Sequence, residues 1–196
     1  MEGRISEKEA IDIHKLAETL EMSRTPIHKA LGQLEQEGYI TITPQVGVFV
    51  KRPSHRDVYE RLLVCATLDI LMAGQAAINI NDEQLLKLFN IIKKMDDKSI
   101  SGLEFDDLNM EFHTLMYKAS NIDYAFQMNK TNWDYLNYIR ISKEIFNEES
   151  RQQSQTEHWM LYYALKDHDQ SLVEKIMEKH LHRALSFISG KYKTFV

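Results

Sequence analysis

Three histidines and one asparagine are the residues of this chain whose types and spacing most directly suggest chemistry. Asn109 and His113 stand four apart in Asn109-Met110-Glu111-Phe112-His113, so on a helix they share one face. His158 and His180 are separated by 22 residues whose midpoint falls in Asp167-His168-Asp169, where a turn is expected between two helices. An antiparallel hairpin about that turn brings the two imidazoles level. Three imidazoles and a side-chain oxygen then converge in the protein interior, a ligand set for a divalent metal ion, Zn²⁺ first, with Ni, Mn or Fe as alternatives. The plainer reading is that these are satisfied core histidines. His168 and His182 are read as surface residues.

A second set of polar side chains is expected on the outside of the fold. In Ser23-Arg24-Thr25-Pro26-Ile27-His28-Lys29-Ala30-Leu31, Ser23 is a suitable N-cap and Pro26 falls in the first turn. Ile27, Leu31 and Leu34 recur on one helical face. Arg24, Thr25, His28 and Lys29 are left facing solvent. Upstream, Ile13, Leu16, Ala17 and Leu20 form a short amphipathic helix, and Glu21-Met22 leaves room only for a tight turn, so the unit reads as helix-turn-helix. Beyond Glu37-Gly38, the runs Tyr39–Thr43 and Val48–Val50 read as two strands joined by Pro44-Gln45-Val46-Gly47, a β-hairpin wing.

The run LAETLEMSRTPIHKALGQLEQEGYITITPQVGVFV, within residues 13–50, closely resembles the DNA-binding half of the GntR family of bacterial transcription regulators. The resemblance implies that Ser23, Arg24 and Thr25 approach phosphates and base edges, with Arg24 reading guanine in the major groove. His14, His28 and Lys29 join them as expected DNA contacts. Gly47, placed at the wing tip, would let the backbone approach the minor groove. Where the family favours Arg-Glu this chain has His28-Lys29, which points to an operator unlike the commonest family sites. Members usually carry a helix ahead of the region corresponding to Glu2-Gly3, so the first helix is expected to be short or missing.

After a polar linker at residues 51–57 the chain reads as helical throughout. Helices are expected over 57–80, 81–96, 103–119, 122–147, 150–166 and 169–189, forming a compact antiparallel bundle. This half, with its histidine pattern, resembles the FCD effector-binding domain of the FadR branch of the family. There the metal is held by an Asp, sometimes an Asn, and three His, which puts Asn109, His113, His158 and His180 in the ligand positions. The resemblance also implies a small organic acid effector beside the metal. Cys65 stands where many relatives have an arginine in the first bundle helix. Trp133, Tyr135, Tyr138 and Arg140 share one helix and are candidates to line the effector pocket.

Composition is compatible with this organisation. The chain of 196 residues carries a formal charge of −5, divided as zero over residues 1–56 and −5 over the rest, so DNA affinity must come from a local basic face around Arg24, Lys29, Lys51 and Arg52. No apolar run of about 18 residues or more is apparent, and no signal peptide is visible, so neither a membrane nor export is expected. The single cysteine excludes an intramolecular disulfide and suits a reducing cytoplasm. The expected architecture is mainly α: a winged helix-turn-helix with a small β-hairpin wing over residues 1–52, then an effector-binding and dimerisation bundle of about six helices over 57–196.

The expected function is that of a cytoplasmic, homodimeric, ligand-responsive repressor of a palindromic double-stranded operator, not an enzyme and without catalytic residues. One alternative is an effector-binding module with impaired DNA binding. A more remote one is a metal-dependent hydrolase with Glu111 or Glu157 as base, although neighbours of a ligand on a helix point about 100° away from it.

Overall fold

The computed structural model describes residues 9–51, 54–138 and 148–191. The chain divides into two units, residues 1–54 and 55–196.

The first unit contains α1 (Ile13–Thr19), α2 (Arg24–Gln36), β1 (Ile40–Thr43) and β2 (Gly47–Val50). Asp12 starts α1 by accepting hydrogen bonds from the amides of His14 (2.9 Å) and Lys15 (3.1 Å). Ser23 occupies the N-cap of α2, but its side chain makes no capping bond. The helix ends at Glu37, where Gly38 takes a φ of 89° that a side chain would resist. The two strands pair antiparallel from Ile40↔Val50 to Thr43↔Gly47. The amide of Ile11 donates to the Val48 carbonyl at 2.7 Å, tying the segment before α1 to the hairpin.

The core of this unit is small: Ile27 and Leu31 from α2 against Ile40 and Val48. Leu34, expected on the same buried face, is exposed, because the buried hairpin residues meet Ile27 and Leu31 and leave the last turn of α2 uncovered. Gly47 is the first residue of β2, opposite Thr43, and the turn itself is Pro44-Gln45-Val46. Its φ of 152°, and a Cβ position only 2.9 Å from the Ala10 Cβ, account for glycine here through packing within the unit.

The second unit is a bundle of α3 (His55–Asn79), α4 (Asp82–Met95), α5 (Gly102–Ala119), α6 (Asp123–Tyr138), α7 (Glu148–Lys166) and α8 (Gln170–Lys191). The expected helix over 122–147 is seen to Tyr138, and its continuation lies outside the described residues. Asn81 and Gln84 form a capping box at the start of α4, and Ser101 caps α5 by accepting from the Glu104 amide. Leu85, Leu88, Ile91, Ile92 and Met95 bury one stripe of α4 at helical spacing, each such side chain worth roughly 1.5–3 kcal/mol when removed from water.

Helix α3 is the axis of the unit, lying against α5, α6, α7 and α8. Contrary to the reading of the sequence, its segment Arg56–Asn79 is long and apolar enough by composition to cross a membrane. Here Met72, Ala73, Ala76 and Ala77 of that segment are fully buried in the bundle core, which accounts for the apolar run.

Candidate metal centre and adjoining pocket

Helices α5, α7 and α8 each deliver one histidine to a common point. Helix α5 buries Phe105, Asn109, Phe112, His113, Met116 and Tyr117, the 3- and 4-residue spacing of a single face. The α7–α8 connection is the turn anticipated at residues 167–169. His168 takes a left-handed φ of 54°, and Asp169 accepts from the Leu172 amide to open α8. This hairpin sets His158 and His180 side by side. Ring centroids of His113, His158 and His180 are 5.2–5.3 Å apart in a nearly equilateral triangle, and one ring nitrogen from each lies within 4.8 Å of the others.

All three rings are buried, and each is held from behind through Nδ1. His180 Nδ1 donates to Glu157 Oε2 at 2.7 Å, and His158 Nδ1 donates to Gln155 Oε1 at 3.4 Å. His113 Nδ1 lies 3.3 Å from Tyr117 Oη. An oxygen accepting from Nδ1, as at His180 and His158, selects the tautomer that leaves the Nε2 lone pair for a metal. Gln155 is itself anchored, because its amide donates to the Ile92 carbonyl (2.9 Å) and to Asp96 (2.7 Å). Phe112 closes one side, 4.8 Å from the His158 ring centroid.

The protonation states suit ligation. Burial, reinforced by the charge of His180, holds His113 well below the usual imidazole range, and burial with the charges of His113, His180 and Arg183 does the same to His158. Burial pushes Glu157 upward, but hydrogen bonds and charge from His180 and Arg183 outweigh it and hold the carboxyl at about 2. Arg183 completes that outer arrangement by donating to both Glu157 oxygens and to Ser154 Oγ.

Among the described residues, His158 Nε2 and Asn109 Oδ1 are buried polar atoms without a hydrogen-bond partner. Leaving such atoms unpaired costs roughly 1–3 kcal/mol each. Both belong to the set expected from spacing, and Asn109 lies one turn before His113 on the same buried face. Three imidazole nitrogens and one amide oxygen fit a divalent ion. Because all four donors are neutral, such an ion would keep its full charge.

A pocket of about 270 Å³ opens between α5 and α6 and reaches His113, with Tyr117, Lys118, Asn129, Lys130 and Trp133 among its walls. Asp69 of α3 is buried behind it and accepts a short hydrogen bond from Asn129 Nδ2. Burial pushes the Asp69 carboxyl up to about 8 against the pull of the Tyr117, Asn129 and Trp133 donors that face it.

Of the residues expected to line the pocket, Trp133 does so. Tyr135 is buried elsewhere, with the Arg61 guanidinium 3.9 Å over its ring. Tyr138 ends α6, its side chain outside what is described, and Arg140 lies outside the described residues. His168 and His182 are exposed, and His168 Nδ1 donates to the Ala77 carbonyl at 2.7 Å. Cys65 is a buried free thiol, pushed up to about 12 by burial and therefore unreactive. The roles of Glu157, Gln155, Tyr117 and Asp69 were not anticipated. Tyr117 four residues after His113, and Arg183 three after His180, were the available signals.

In the first unit, Arg24, Thr25, His28 and Lys29 are exposed on α2, and Ser23 and His14 are exposed beside them. Arg24 Nη2 lies 2.7 Å from His14 Nε2, so the start of α1 and the start of α2 share one polar surface.

Residues 60–183 match the model of the FCD domain, and residues 1–50 match that of the bacterial regulatory proteins of the gntR family. Similar proteins include the Nta operon transcriptional regulator of Aminobacter aminovorans, 26% identical over 93% of this chain and 87% of that protein. The HTH-type transcriptional repressor RspR of Escherichia coli K12 is 25% identical over 82% of this chain and 71% of its own length. Among solved structures, E. coli McbR/YncC superposes with a TM-score of 0.74 at 20% identity, covering 97% of this chain and 91% of that one.

Proposed function

The chain belongs to the GntR family of bacterial transcriptional regulators with a C-terminal FCD domain, and from that premise we propose that it is a ligand-responsive repressor working as a cytoplasmic homodimer. Regulators of this family bind DNA and FCD domains bind small-molecule effectors; neither the chain nor its relatives are enzymes. RspR, which covers most of this chain, is described as a repressor, and that supports the same sign here.

The observation that carries the effector half of this reading is the buried triangle of His113, His158 and His180 with Nδ1 engaged on every ring and Asn109 Oδ1 unpartnered beside it. These four residues would hold a divalent ion, most suitably Zn²⁺, with Ni²⁺, Mn²⁺ or Fe²⁺ as alternatives. The ion would supply uncompensated positive charge at the inner end of the pocket, where a small carboxylate is favoured. Glu157 stays outside the triangle, bound to His180 and Arg183, so its part is to orient a ligand and not to activate water.

For the DNA half, the exposed row of Arg24, Thr25, His28 and Lys29 on α2 supports a recognition helix, with Ser23 and His14 at its edge contacting phosphate. A two-fold dimer would present two such helices to a palindromic site, and the effector would shift the population between states that fit and do not fit it. Elemental analysis of purified protein and of the His158→Ala variant tests the centre: near-stoichiometric metal that the variant loses is the expected result. Gel-shift titration with the chain's own upstream DNA tests the other half, and failure to shift it would leave only an effector-binding module.

A further inference from the structure

The three Nδ1 partners in the histidine triangle are not equivalent. Glu157 and Gln155 meet His180 and His158 with oxygens that can only accept, so each of those neutral rings carries its proton on Nδ1. Tyr117 Oη, 3.3 Å from His113 Nδ1, can do either. A hydroxyl that donates to Nδ1 leaves the His113 proton on Nε2, where it blocks a metal ion. A hydroxyl that accepts leaves Nε2 with its lone pair. The contact alone does not choose between the two, and what decides is where the hydroxyl proton goes.

Asp69 supplies the destination. This carboxyl of α3 is fully buried, and the groups that face it are donors: the Tyr117 hydroxyl, the Asn129 amide and the Trp133 indole. Asn129 donates to Oδ1, while Oδ2 is a buried acceptor without a hydrogen-bond partner among the described residues. Leaving that oxygen unpaired costs free energy, and the phenol beside it keeps its proton at neutral pH. Tyr117 lies one turn after His113 on the buried face of α5, with the two rings 5.7 Å apart, so its oxygen stands between the carboxyl and the imidazole. We propose that Asp69 is a positioning residue of the histidine centre: it draws the Tyr117 hydroxyl proton, so that the Tyr117 oxygen accepts from His113 Nδ1–H and His113 Nε2 keeps its lone pair. Glu157, Gln155 and the Asp69–Tyr117 pair thereby set the same tautomer on three rings by three different means. The inference rests on the metal-centred reading and adds to it the group that fixes the third imidazole.

The test is long-range proton–nitrogen NMR of the histidine rings in the metal-free full chain at about pH 9, above the value of about 8 at which Asp69 gives up its proton. In the wild type His113 should carry its proton on Nδ1. Asp69→Ala should move it to Nε2, because a hydroxyl without its acceptor turns to the ring, while the His180 signals, set by Glu157, stay in place. Tyr117→Phe removes only the hydroxyl and should likewise release His113 from the Nδ1–H form, which keeps the test decisive if Asp69→Ala does not fold. In competition with a chelator each variant should weaken zinc affinity about tenfold, and the double variant no further than Tyr117→Phe alone. An Nε2 proton on wild-type His113, a tautomer unchanged in a folded variant, or losses that multiply in the double variant would overturn the assignment of Asp69. A chain that takes up no zinc while its His113 tautomer responds as stated would remove the metal-centred reading and leave Asp69 in its role toward the ring.

Discussion

The two units solve opposite problems with similar residues. In residues 1–54 the residues assigned to function, Arg24, Thr25, His28 and Lys29, are exposed, and the core beneath them is four fully buried side chains. In residues 55–196 the assigned residues are themselves core: His113, His158 and His180 are buried, with the Phe112 ring against the first two. A surface site depends on the scaffold only for position, so its residues can change at little cost in stability. A buried polar site is part of the packing, and every atom in it must find a partner.

The largest effect that would sharpen the contrast is on metal content. His158→Ala is expected to abolish metal binding, measured by elemental analysis, and to remove the stabilisation that added zinc gives the bundle, measured by thermal melting. Next is Leu31→Ala, expected to cost about 2–5 kcal/mol, a large share of what so small a core can supply. Hydrogen exchange should show loss of protection confined to the first unit, and equal loss in both would break the comparison.

Arg24→Ala should weaken operator binding by about 1–3 kcal/mol in a gel-shift titration while leaving the melting temperature unchanged, as suits an exposed contact. Glu157→Gln should weaken metal affinity by roughly 10–100-fold in competition with a chelator. Because Glu157 is held at about 2 in the folded chain, below its ordinary 4.5, its stabilising contribution is complete above about 4.5. It is lost as pH falls toward 2, so wild type and variant should converge in acid melts.

The smallest effect runs the other way. Asp69 has a folded value raised to about 8 from 3.8, so the wild type loses stability as pH rises across that window. Asp69→Asn should therefore match or exceed the wild type at pH 8, by a few kcal/mol at most. A variant less stable than wild type at pH 8 would show that the carboxyl serves the fold.

Much of this was legible in the sequence because helical periodicity and caps are local. Asn81 opening α4, Gly38 closing α2 and the turn at residues 167–169 all followed from residue type and spacing. The convergence of His113, His158 and His180 followed from the same spacing, since an antiparallel hairpin levels residues equidistant from its turn. What could not be read were contacts set by rotamer choice between distant segments: Asp69 with Asn129, Gln155 with the end of α4, and Tyr135 beneath Arg61. Leu34 failed for a related reason, as periodicity finds a face but not where its cover stops. At Gly47, assigned to DNA approach, the backbone angle and the Ala10 contact supply an independent reason for glycine that spacing alone does not show.

Helix α7 also provides an optical readout. The Trp159 indole donates to Asp96 Oδ1 at 3.2 Å, the same oxygen that receives the Gln155 amide at 2.7 Å, and Gln155 in turn orients His158. Trp133, the only other tryptophan in the chain, stands on the pocket wall. Intrinsic fluorescence therefore has one emitter linked through Asp96 and Gln155 to the proposed metal centre and another on the wall of the proposed effector pocket. With Trp133→Phe to isolate the first, metal loading and ligand entry become separately visible by eye of the spectrometer, without a label.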